Sequence, residues 1–184
     1  MQPTHSMTFT DLKSYDRHTI VLHWLTAALV LLLWGSAQII DYFAKGAPRW
    51  NMLGVHMTLG LILAVVLLRR VFWRLTAGTQ LAPADKGWLG RLALSTHFLL
   101  YGLLIAQVLL GLANAWVRGD HVYTWFVIPA FSPLDRPLRQ TVGDLHGMVA
   151  DAILIIAGLH ALAGLYHHYI VRDGVLRRMW PARG

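Results

Sequence analysis

Five histidines, His23, His56, His97, His146 and His160, lie in stretches that otherwise hold almost nothing polar. An imidazole in apolar surroundings needs a hydrogen-bond partner or a metal, so each is a candidate functional residue. Spacing narrows the choice. His146 and His160 are 14 residues apart, which on a helix is a rise of about 21 Å and an offset of roughly 40° around the axis. They share one helix face at two depths, where a single metal cannot use both but two stacked centres can.

The chain has no cysteine, which excludes disulfides, thiolate ligands, iron–sulfur clusters and covalent haem attachment through CxxCH. A catalytic zinc would want a third ligand and an open position, and a di-iron site would want Glu-x-x-His, which the apolar stretches lack. Two neutral imidazoles with no carboxylate at their level suit the axial positions of haem iron. With both axial positions filled, such iron serves one-electron transfer and does not bind substrate at the metal.

These histidines are carried by four apolar runs, roughly His18 to Ile40, Asn51 to Leu68, Leu92 to Val117 and Val142 to Val171. Each is near or above the ~20 residues a helix needs to cross hydrocarbon. A composition of 56% hydrophobic and 14% charged residues, with mean hydropathy +0.49, agrees. The expected fold is an all-α membrane protein, a single four-transmembrane-helix bundle over residues 1–184 with two b haems stacked across the membrane. Its helices are expected at about 18–40, 51–74, 91–117 and 142–171.

The net charge of +7 does not indicate nucleic acid, because the basic residues gather at helix ends. Eleven of the 16 Lys and Arg fall on one side, in Lys13 and Arg17, in Arg69, Arg70, Arg74, Lys86 and Arg91, and in Arg172, Arg177, Arg178 and Arg183. The positive-inside rule then puts both termini in the cytoplasm. Gly35-Ser36-Ala37 has the small-residue look of a signal-peptidase site, but the apolar run continues through Ile40, so the segment is expected to stay as a helix. The second outer loop, RGDHVYTWFVIPAFSPLDRPLRQ, has an apolar centre expected to lie in the membrane interface.

Depth pairs the histidines. The second and fourth helices both start outside, which puts His56 level with His146. His23, about six residues into the first helix from the inside, is nearer the level of His160. His97 is at that same inner level and is an alternative to His23 or His160, or a contact for a propionate or quinone. Arg69, Arg70 and Arg74 are candidates for the same contacts, although topology signal and lipid phosphate account for them more simply. Asp144 and Asp151 are alternatives as ligands, but are expected as hydrogen-bond acceptors behind the ligands or as surface groups. Gly60, Gly102, Gly111, Gly158 and Gly164 are small enough to leave room for a macrocycle. His167 falls at the cytoplasmic edge, and His5, His18, His121 and His168 carry no readable signal.

LHW in the first helix, NMLGVH opening the second, and LHGMVADAILIIAGLHALAGLYHHY leading to LRRMWP resemble the bacterial cytochrome b561 family of small dihaem inner-membrane proteins. The resemblance runs from about His18 to Pro181. It implies two non-covalent haem b groups, with His23 and His160 on the inner iron and His56 and His146 on the outer. It also implies an oxidoreductase in which superoxide gives up an electron outside and ubiquinone is reduced. Some relatives are instead anchor subunits fed by a hydrogenase- or dehydrogenase-type partner, and a haem-free metal-binding transporter is a third reading. The outer face carries Lys45, Arg49, Arg118, Arg136 and Arg139 against Asp41, Asp120, Asp135 and Asp144, so an anion would be steered only if the cations cluster.

Overall fold

A computed structural model of the chain describes residues 14–82, 87–132 and 134–180. His5, Lys13, Lys86, Arg183 and the closing Pro181 of the LRRMWP motif lie outside the described residues. Four long helices dominate: α1 (Arg17–Ile39), α2 (Ala47–Thr76), α3 (Trp88–Arg118) and α4 (Arg136–Tyr166). All four are long and apolar enough to cross a membrane. In the most apolar stretch of α4 only 6% of residues are buried inside the protein, so lipid must cover most of its surface.

Local chemistry sets the helix ends. Asp16 caps α1 by accepting from the Thr19 N–H at 2.9 Å, and the Thr19 hydroxyl donates to its second oxygen. Trp73 Nε1 and the Thr79 N–H bond the same carboxylate, tying the start of α1 to the end of α2. Burial opposes charge on Asp16, but these donors outweigh it and hold the carboxyl below the usual carboxylate range. Pro48 and Pro137 occupy the first turns of α2 and α4, where the missing N–H costs nothing. With Asp135 as cap, α4 therefore starts at Arg136, upstream of the apolar run that begins near residue 142. It ends in a π-helical turn, His167–Val171, where His167 Nδ1 pairs with Asp173.

The loop between α3 and α4 folds into a short antiparallel hairpin, β1 (His121–Val122) and β2 (Phe126–Val127). Its Tyr123 has φ 59°, and its ring lies on Gly54 of α2. A Cβ at Gly54 would come within 2.8 Å of that ring and of the Tyr123 backbone. The Tyr123 and Thr58 hydroxyls bond at 2.9 Å. At the opposite end Tyr15 N–H donates to Arg178 O, Trp24 Nε1 to Met179 O, and Arg178 Nη1 to Ala82 O. The two described ends of the chain therefore meet on one face.

α1 packs along α2 and α3 along α4, α2 meets α3 over a shorter stretch, and α1 barely touches α4. The bundle is thus two helix pairs separated by a seam. Leu29, Leu63, Val66, Leu67, Leu104 and Ile153 close that seam at mid-height, with all four helices contributing. Two turns from this layer toward the hairpin end stand Ser36, His56, Gly111 and His146. Two turns toward the terminal end stand His23, Arg70, His97 and His160.

Candidate haem-binding sites

At the hairpin-end level, His56 of α2 faces His146 of α4, with ring centres 6.4 Å apart and planes at 79°. At the terminal-end level, His23 of α1 faces His160 of α4, with ring centres 6.3 Å apart and planes at 73°. A metal–imidazole bond of about 2 Å, plus roughly 1 Å from ring nitrogen to ring centre, puts two trans imidazoles on one metal about 6 Å apart, centre to centre. Both pairs have that spacing. Among the described residues no group of three or more His, Cys, Asp or Glu could hold a metal ion. A centre at either level must therefore bring its own equatorial ligands, as haem does.

The two levels differ in what surrounds the rings. His56 Nδ1 is 2.8 Å from Ser36 Oγ, whose hydroxyl also lies 2.7 Å from Leu33 O. His146 meets Gln107 of α3 instead. Its Nδ1 is buried without a hydrogen-bond partner, and its Nε2 is 3.3 Å from the Gln107 amide, whose oxygen is also buried and unpartnered. Buried orphans at this level fit a site that takes a bound group or water. A Cβ on Gly111 would approach His146 Cε1 to 3.1 Å. Gly111→Ala is therefore expected to push the ring by a few tenths of an ångström, changing the spectrum and potential of one haem while leaving the other unaltered. Redox titration of that variant checks it.

At the other level, Arg70 Nη2 lies 3.0 Å from His23 Nδ1, and its guanidinium stands 5.0 Å over the Tyr101 ring. No carboxylate pairs with Arg70 among the described residues, so this half-buried cation suits an anionic partner. His97 approaches His160 more closely than His23 does, at 5.1 Å between ring centres, and is exposed. Arg69 instead stacks on Phe72 and Trp73, and Arg74 sits in the last turn of α2. Arg70 is turned into the seam toward His23, and Arg74, one turn on, lies near enough to His97 for their charges to interact.

Gly60, Gly102 and Gly158 border open space, whereas Gly164 meets Leu176 at ordinary contact distance. Asp144 and Asp151 are exposed, and among the described residues neither hydrogen-bonds a histidine. Sequence reasoning missed Ser36, Gln107 and Tyr101. None stands out by type or spacing, because each becomes significant only through a residue on another helix.

Apolar spanning helices bringing imidazole pairs together at two depths define a membrane-embedded b-type cytochrome. The chain belongs to the prokaryotic cytochrome b561 family, whose model matches residues 14–182. It is 29% identical over 173 residues to a probable superoxide oxidase of Yersinia pestis, covering 93% of this chain and 98% of that protein. It is 25% identical to cytochrome b561 homolog 1 of Escherichia coli, covering 92% and 98% of the two chains. It is also 30% identical to cytochrome b562 of Cereibacter sphaeroides, covering 95% and 99%. The protein is thus a multi-pass membrane cytochrome that uses haem b for electron transfer, an oxidoreductase in the broad sense.

Proposed function

We propose that the chain holds two haem b groups, one between His56 and His146 and one between His23 and His160, and passes electrons from superoxide at the hairpin face to ubiquinone in the membrane. The observation that carries this reading is the pair of imidazole separations, 6.4 and 6.3 Å, at two levels of one bundle. A haem held between two such imidazoles would supply one-electron transfer. The hairpin face is outside and the face bearing both chain ends is cytoplasmic, following the charge asymmetry. Two superoxide ions give up one electron each and leave as dioxygen, and ubiquinone takes two electrons and two protons to become ubiquinol. Arg70, half-buried beside His23, supplies a cation for a haem propionate, and the exposed His97 offers a donor to a quinone oxygen. Arg69 and Arg74 fit lipid phosphate at the cytoplasmic edge.

The similarity to a probable superoxide oxidase supports superoxide as donor. Stopped-flow mixing of the oxidised, haem-loaded protein with a superoxide pulse is expected to reduce the b haems. If they stay oxidised, the donor is a partner subunit and the chain is an anchor. Arg49 pairs with Asp41 and Arg118 with Asp120, so two of the five outer cations are already neutralised. Burial raises the Asp120 carboxyl above its ordinary value, and the nearby Arg118 opposes the shift. Steering is therefore weak, and raising ionic strength from low to physiological is expected to change the superoxide rate by no more than about threefold.

A further inference from the structure

Ser36 is buried, 6% exposed, on the side of α1 that meets α2. Its oxygen has two neighbours, Leu33 O at 2.7 Å on its own helix and His56 Nδ1 at 2.8 Å on the next. A hydroxyl has one proton, and a carbonyl oxygen can only accept. If the proton pointed at the imidazole, two oxygens would face each other at 2.7 Å with nothing between them. The proton therefore goes to Leu33 O, as serines in helices commonly bond back one turn, and Oγ presents a lone pair to His56. Nδ1 must then carry the imidazole hydrogen, which leaves the Nε2 lone pair bare.

We propose that Ser36 is a positioning residue that fixes the tautomer and ring orientation of His56 so that Nε2 binds the iron of the hairpin-end haem. The other three proposed ligands lack this arrangement. His146 Nδ1 is buried with no hydroxyl beside it, its ring meeting only the backbone and side-chain amide of Gln107. His23 Nδ1 faces Arg70, which can only donate and so favours the opposite tautomer. For His160 no side-chain partner is seen among the described residues. His56 is thus the ligand set in advance, and the hairpin-end site is the better prepared of the two. An acceptor on the far nitrogen also makes the imidazole more basic, which favours oxidised iron.

The proposal rests on His56 being a haem ligand. The test uses full-length protein loaded with haem and compares Ser36→Ala, Ser36→Thr and His56→Ala. Haem loss to apomyoglobin and the two midpoint potentials are measured. Ser36→Ala is expected to lose one haem about tenfold faster and to shift that haem to a more positive potential, with the other unchanged as an internal control of folding. Ser36→Thr, which keeps the hydroxyl, is expected to restore both values. If Ser36→Ala keeps the parent's loss rate and potentials, or if Ser36→Thr behaves like Ser36→Ala, the positioning role is overturned. If His56→Ala retains both haems, the ligand assignment itself fails, so the two failures are distinguishable.

Discussion

His56→Ala and His146→Ala are each expected to abolish the same haem, leaving purified protein with about half of its b-type absorbance and a single redox transition. The two side chains sit on different helices and share no sequence context, yet their ring centres are 6.4 Å apart. If both bind one iron, removing either leaves a haem with a single axial ligand in an apolar seam. The double variant should then look like either single variant and lose nothing further. Retention of the other haem in all three variants separates shared ligation from general damage, because damage to the whole bundle would cost both haems. Additive losses, or a single variant with both haems intact, would remove the pairing.

At the terminal-end level, His23→Ala and His160→Ala are expected to remove the second haem, while His97→Ala retains both. This is the sharper test, because two rings compete for one position. His97 is nearer to His160, at 5.1 Å against 6.3 Å for His23, but the wider separation is the one that leaves room for a metal between trans imidazoles. For His23 to bind through Nε2, Arg70 must give up its contact with Nδ1, and a haem propionate is a stronger partner for a guanidinium than a ring nitrogen. If His97→Ala loses the haem and His23→Ala does not, the spacing argument fails and His97 is the ligand. Loss in both variants with His160→Ala unaffected would remove α4 from this level altogether.

Part of this arrangement is legible in the sequence because rise along a helix is fixed. Residues seven apart lie two turns apart on nearly the same face, so the His146 to His160 interval already separates two depths. Ile153, which closes the seam between them, falls at the midpoint of that interval. The α3–α4 loop was less legible. Its apolar centre indicated an interface segment, but the hairpin depends on Gly54, on a different helix, leaving space for Tyr123.

The sequence by itself determined the class of protein, its four spans, the absence of thiolate chemistry and the relative levels of His23, His56, His97, His146 and His160. These follow from hydrophobic run length, residue type and a constant rise per residue. Only the tertiary structure decided which way each helix is turned. Arg70 and Arg69 are adjacent, yet one meets His23 and the other stacks on Trp73. Gly35-Ser36-Ala37 read as a small-residue patch until α2 brought His56 to the Ser36 hydroxyl. The physical reason is that rotation about a helix axis is set by contacts with other helices, and those contacts, unlike rise, are written nowhere within the segment itself.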